Sequence, residues 1–420
     1  MTSNPQTSTH GQLKSDQQVW VFWLGMLVLT ALLCLGIAEV MLRLLLPSTT
    51  ITMMRGGNYL WYAGYKTYVP QTYWRGGNEA GEQFEVSFDE MGLRNPPQSL
   101  ARADVMVLGD SFIAADNTAV EHTVVGELRA AGIASYNAGV DGAGTFNEVH
   151  LLRDHLRNWR GHIVVVAFYL GNDFHDNYGD QLVPEASTAA APQPVRGSIG
   201  NAIRAACKTL FTCNWIYHQI YLGLIEGESL DPMKSFALAQ MEMLATGRSA
   251  ASDIAVAHTR QAFAELARIA ALRGFTVLVV GVPSEAQVMQ RLREVEGFEI
   301  DSRADDYGKA LVRDRGLDFD RPDRLAASLA GEAGFSYVSL LPIFRAHERE
   351  KLFYQIDLHW TPVGEKLAAE ILVHYLQSLP SEKAALHTSG DNLTFGTLAG
   401  QQKPAQTLEG RRYHLLGSDH

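Results

Sequence analysis

The stretch Val105–Asn117, VMVLGDSFIAADN, opens as an apolar run and breaks at Gly109, after which an acid and a hydroxyl follow at once. Apolar residues in succession, bounded by turn formers, read as a strand covered on both faces. Gly, Asp and Ser all favour tight turns, so Gly109-Asp110-Ser111 has an ordinary structural reading in which Asp110 ties down the turn. It also has a chemical reading, in which Ser111 is a hydroxyl held at the C-terminal edge of a sheet. The rest of the chain decides between them.

Outward from this strand the sequence alternates between periods. Thr123–Ala131 reads as helix and Ala134–Asn137 as a second strand. Phe146–Trp159 reads as helix, with Val149, Leu152 and Leu156 on one face, and Ile163–Leu170 (IVVVAFYL) as another buried strand. Regularity lapses over 181–250, a Pro-, Ala- and Gln-rich loop followed by a helical insertion. It returns with helix Ser252–Arg273, strand Thr276–Val282, helix Asp323–Ala333, strand Ser336–Leu340 and helix Pro362–Leu379. Such repetition predicts an α/β fold, a parallel sheet flanked by helices. In sheets of this kind ligands bind beyond the C-terminal strand ends, where Ser111 falls.

The N-terminal segment is of another kind. Val19–Ala38 (VWVFWLGMLVLTALLCLGIA) is apolar apart from Thr30 and long enough to cross a bilayer, with Trp20 and Trp23 where aromatic rings favour the interface. It lacks the polar face of a core helix. Gly36 and Ala38 make a small-x-small site, so a cleaved signal peptide competes. The length of the run, the single preceding base Lys14 and the amphipathic continuation Glu39–Leu46 favour an uncleaved anchor. The chain thus divides into a polar, disordered tail (1–18), a transmembrane anchor (19–46), a lead-in segment of short strands (51–100), a main domain (101–380) and a polar tail (381–420). Of the 3 cysteines, Cys207 and Cys213 lie close enough for a small disulfide loop, which suits an oxidising compartment; two unrelated buried thiols are the other reading. A net charge of −11 with no dense basic run argues against a nucleic-acid partner.

A serine hydroxyl is a poor nucleophile until an oriented base takes its proton. Asp357 and His359, in QIDLHWTPVGEK, are two apart, so an extended segment points both side chains the same way. Asp357 then accepts from Nδ1–H and leaves Nε2 to face Ser111. Thr361 as N-cap and Pro362 as first helical residue place this pair on a loop entering a helix. Two further fragments follow successive strands: YNAGVDGAGTF, where Gly142 offers a backbone N–H, and FYLGNDFHDN, where Asn172 offers an amide. With the N–H of Ser111 these donors fit an oxyanion hole. His175 and Asp176 lack the further ligands a metal requires, and no Gly-rich phosphate loop follows the first strand. No metal or cofactor is expected.

Taken together, GDSF, NAGVDGAG, GND and Asp357-Leu-His359 resemble the SGNH/GDSL hydrolase superfamily, and Met91–Asn95 (MGLRN) is similar to its lead-in. The resemblance spans about Gly92–Leu379 in scattered blocks. It implies a flavodoxin-like α/β/α sandwich, Ser111 as nucleophile, Asp357 and His359 as its partners, and Ser111, Gly142 and Asn172 as oxyanion donors. The spacing from Asn137 favours Gly142 over Gly139. Many simple esterases of the family carry Asp-x-x-His. The shorter form here, followed by Trp360, is more similar to the membrane-associated branch related to alginate O-acetylation proteins. The implied function is a membrane-anchored serine esterase or O-acetyltransferase acting on O-acyl groups of a glycan or exopolysaccharide. It would be single-pass in a bacterial inner membrane, with a periplasmic domain working beside export or acetylation proteins. The alternative is a catalytically idle glycan-binding or assembly subunit that keeps the fold.

Overall fold

A computed structural model describes residues 9–45, 59–179, 236–291, 310–311, 313–355 and 357–379. The loop expected from 181, the cysteines Cys207 and Cys213, most of the helical insertion and the tail 381–420 lie outside the described residues. The chain divides into two compact units, Met1–Tyr375 and Leu376–His420, and of the second only 376–379 are described.

Helix α1 runs Thr9–Leu45. Within it Val19–Met41, 23 residues at a mean hydropathy of 2.5, is long and apolar enough for a membrane span or a signal sequence. The expectation of a disordered tail through residue 18 is corrected here, because the helix starts at Thr9. Gln, Lys and Leu are good helix formers, and a helix once nucleated by the apolar run extends cheaply into them.

Two antiparallel hairpins follow: β1 (Tyr59–Trp61) with β2 (Lys66–Tyr68), and β3 (Tyr73–Gly77) with β4 (Gln83–Ser87). Several aromatic residues in and beside them turn inward. Tyr65, Tyr68 and Phe88 are buried, and the Tyr68 and Phe88 rings stack at 4.2 Å. Tyr136 donates to Asp89 Oδ2 at 2.6 Å, and Asn95 exchanges two hydrogen bonds of 2.8 Å with the backbone of Asn137. The lead-in segment is thereby fixed to the second strand of the main sheet.

That sheet begins with β5 (Val105–Gly109), followed by α2 (Ser111–Ala114), α3 (Val124–Ala130) and β6 (Ser135–Gly139). Next come α4 (Thr145–His150), β7 (Ile163–Tyr169) and α5 (Asp173–Gly179). After the undescribed stretch come α6 (Phe236–Leu244), α7 (Ala250–Arg273), β8 (Thr276–Val282) and α8 (Glu285–Met289). The chain continues through α9 (Arg321–Glu332), β9 (Ser336–Ser339), α10 (Leu341–Ala346) and α11 (Pro362–Ser378). Among the described residues the sheet has 5 strands in the order β6-β5-β7-β8-β9, all parallel. This is the flavodoxin-like arrangement. Met106, Leu108, Val164, Val166 and Val279 share one core with Phe263, Leu266 and Ile269 of α7, while Val105, Val107, Val165 and Val280 are just as buried on the opposite face. Covering on both faces explains why the strands are continuous apolar runs rather than alternating ones. Helix α7 is closed at both ends by its own sequence: Ser249 accepts from the N–H of Ser252, and Gly274 takes the left-handed conformation at φ 73°.

The helix expected over Phe146–Trp159 is corrected in one respect. It narrows to α4 and then widens into a π-type turn, Leu151–His155. An i→i+5 turn brings positions five apart closer to one face. His150 and His155 both bond lead-in carbonyls, those of Gly64 at 3.0 Å and Met91 at 2.9 Å, and the wider turn lets both reach.

Gly139 ends β6 under the first turn of α2. A Cβ there would sit 2.6 Å from the Ile113 carbonyl carbon and closer still to the Ala114 nitrogen. Both neighbours are backbone and cannot rotate away. Gly139→Ala is therefore expected to destabilise the domain by about 2 kcal/mol or more, read as a lower denaturant midpoint at unchanged slope.

Candidate active site

Ser111 opens α2 immediately beyond β5. Asp110 Oδ1 accepts from the N–H of Phe112 at 3.0 Å, so the acid caps the short helix and sets the direction in which Ser111 leaves the strand. The loop after α2 is gripped from the lead-in segment. Buried Arg94 donates to the carbonyls of Ala114 (3.2 Å), Ala115 and Thr118 (2.6 Å).

The second half of the site arrives from the other end of the chain. Phe353 and Trp360 form an antiparallel bridge, and Tyr354 N–H donates to the His359 carbonyl at 2.9 Å, closing a tight loop before α11. On it His359 Nδ1 donates to Asp357 Oδ1 at 2.7 Å, and Nε2 meets Ser111 Oγ at 2.7 Å. The ring leans on Phe112, whose centroid is 4.8 Å away, and Phe112 in turn meets buried Trp360 edge-on at 5.0 Å. The structure therefore brings Ser111, His359 and Asp357 together. The route differs from the expected extended segment, because Leu358 sits at φ 63°, in the left-handed region. Asp357 and His359 share a side through a turn, not through strand alternation.

Charge follows from this geometry. Burial works to lower the His359 pKa, but the hydrogen bond and charge of Asp357, with Asp110 and Asp116 behind it, prevail and raise it to about 9. Burial works to raise Asp357, yet the bond and charge of His359 and the bond from Asn117 hold it below the usual carboxylate range. Both partners thus report one ion pair at neutral pH. Burial raises Asp110 to about 7 despite the Phe112 N–H. Burial and the nearby Asp141 charge raise Asp116 to about 6.

Gly142 follows β6 and Asn172 follows β7, the strands on either side of β5. Gly142 is exposed at φ 59°, and no backbone hydrogen bond to a described residue occupies its N–H. Asn172 is buried, with its Oδ1 unpartnered among the described residues. The three expected donors therefore stand at the C-terminal ends of adjacent strands. Gly139 is instead sealed beneath α2. His175 pairs with Asp176 at 3.2 Å, and among the described residues no group of three His, Cys, Asp or Glu side chains is arranged to hold a metal.

Two residues not foreseen from the sequence complete the site. Asn117 Nδ2 donates to Asp357 Oδ2 at 2.7 Å, taking the carboxylate oxygen that His359 leaves open. Glu79, in the turn between β3 and β4, accepts from the N–H groups of Gln355 (2.8 Å) and Asp357 (2.6 Å). Asn117 closes the very stretch that nominated Ser111, but a turn asparagine carries no mark of a partner 240 positions away.

No family model and no curated protein matches the sequence. Among solved structures the chain is similar to an α/β hydrolase from the metagenome of Lake Arreo, at 12% identity and a TM-score of 0.34, covering 67% of this chain and 98% of that one. A GDSL-like lipase from Bacteroides thetaiotaomicron matches at 10% identity and a TM-score of 0.33, covering 65% and 87%. An acetyl xylan esterase matches at 11% identity and a TM-score of 0.31, covering 66% and 100%.

The Asp357 contact predicts its own removal. In Asp357→Asn, His359 should titrate far below about 9, back toward the ordinary 6.5, as followed by NMR of the imidazole protons.

Proposed function

We propose that this chain is a membrane-anchored serine esterase or O-acyltransferase, acting on O-acetyl groups of a glycan through an acyl-serine intermediate. One observation carries the reading. Ser111 Oγ lies 2.7 Å from a His359 nitrogen whose opposite nitrogen is held by a carboxylate at 2.7 Å. These are the distances of a nucleophile, its base and the group that orients the base.

In this reading Ser111 Oγ attacks the ester carbonyl while its proton passes to Nε2 of neutral His359. Asp357 stabilises the imidazolium that forms, and the carbonyl oxygen takes negative charge toward the N–H of Ser111 and Gly142 and the amide of Asn172. Collapse breaks the ester C–O bond, and the imidazolium returns its proton to the leaving alkoxide. Acyl-Ser111 is then resolved by a hydroxyl that His359 deprotonates: water makes the protein an esterase, a sugar hydroxyl an acetyltransferase. The apolar α1 serves in this reading as an inner-membrane anchor with the domain in the periplasm, where acetylation or export proteins work on the same polymer. The shorter Asp357-Leu-His359 block and Trp360 support the glycan-modifying branch over a simple esterase.

The base must be neutral to act, and its pKa is raised to about 9. Activity on a small acetyl ester should therefore climb with pH across the neutral range and level off above about 9, as a pH profile of kcat/KM reads. Ser111→Ala and His359→Ala should each lose at least about a thousandfold in turnover with the fold intact, since nucleophile and base act as a unit. A folded Ser111→Ala protein that still turns over ester, or a Ser111 that a fluorophosphonate never labels, would overturn the mechanism. Supplying an activated acetyl ester with oligosaccharides separates the two outcomes: acetylated sugar in excess of free acetate marks transfer, acetate alone hydrolysis.

A further inference from the structure

Glu79 lies in the lead-in segment, outside every block that nominated the site, yet it touches the loop that carries the base. Its two carboxylate oxygens accept separately from the N–H groups of Gln355 and Asp357, at 2.8 and 2.6 Å. Charge-assisted bonds from one carboxylate to two backbone donors fix orientation as well as distance. The turn presenting Glu79 is built independently of it. Asn78 Oδ1 accepts from the N–H groups of Ala80 (3.1 Å) and Glu82 (3.2 Å), and its amide donates to Glu82 at 2.8 Å. The loop it grips contains Leu358 at φ 63°, a conformation that a leucine adopts only under constraint.

We propose that Glu79 is a positioning residue for the acid–base loop: by clamping the backbone on the N-terminal side of Leu358, it holds Asp357 and His359 in register with Ser111. The inference rests on the proposed roles of Ser111, His359 and Asp357. The β3–β4 hairpin is then a working part of the site. A displacement of about 1 Å at a reacting group costs on the order of a hundredfold in rate, which sets the scale of what the clamp protects.

The test uses the full chain, a small acetyl ester and the variants Glu79→Gln and Glu79→Asp. Gln removes the charge and leaves one acceptor oxygen where Glu79 uses two; Asp keeps the charge but is too short to reach both. Both variants should lose about 10- to 100-fold in kcat with KM little changed, counted per site labelled by a fluorophosphonate. The alkaline midpoint should also fall below about 9, because a loosened Asp357 supports His359 less. The other groups facing His359 are Asp110 at the end of β5, Asp116 after α2 and Glu365 on α11, and both variants leave them in place. Three results would overturn the clamp: wild-type kcat and midpoint in both variants, activity lost only in proportion to labelled sites with the midpoint unmoved, or impairment in Glu79→Gln alone. If Ser111→Ala is inactive while both Glu79 variants are normal, this inference fails and the proposed mechanism stands. An active Ser111→Ala removes the mechanism itself.

Discussion

The imidazole of His359 is the hinge of this molecule. It joins the two ends of the domain, touching Ser111 through one nitrogen and Asp357 through the other. Everything else at the site keeps that ring in place. Phe112 leans on it with Trp360 behind, Asn117 and Glu79 hold the acid beside it, and Arg94 holds the loop that carries Asn117. The parallel sheet serves the same end, since its strands deliver Ser111, Gly142 and Asn172 to one edge.

The electrostatic setting opposes stability to reactivity. The fold favours protonated His359, so that contribution is complete below the ordinary 6.5 and is lost as pH rises through about 9. The form that can accept a proton is thus the one the fold supports less. In the same region Asp110, Glu148 and Asp173 are buried, and Asp110 Oδ2, both Glu148 oxygens and Asp173 Oδ1 have no partner among the described residues. Burial, then mutual repulsion, pushes Glu148 and Asp173 well up. Burial thus favours the neutral form of these acids, which limits uncompensated charge in the interior.

Much of this was legible in the residues, for identifiable reasons. β5, β7 and β8 were readable because strands covered on both faces are unbroken apolar runs. The turn at Ser111 was readable because a glycine, an acid and a hydroxyl interrupt one of those runs. The pairing of Asp357 with His359 was suggested by spacing, but the turn between them was not, since nothing in a leucine announces a positive φ. The π-type turn after α4 was equally silent: the carbonyls its histidines bond lie far off in sequence, in the lead-in segment. Asn117 and Glu79 escaped for a related reason. A side chain that bonds a distant carboxylate, or a distant backbone N–H, leaves no pattern near itself.

The separation of Ser111 and His359 by 248 positions has a consequence in time. At ribosomal speeds of about 5–20 residues per second, Ser111 is made roughly ten to fifty seconds before His359. Throughout that interval the hairpins, β5 and the donor loops can assemble, yet nothing is present to take the Ser111 proton. Under the proposed mechanism the nascent chain is therefore chemically silent while it is being made, and a product that stops short of residue 359 stays so. On that mechanism competence would come with the final loop of the domain, and translation itself would act as the safety catch.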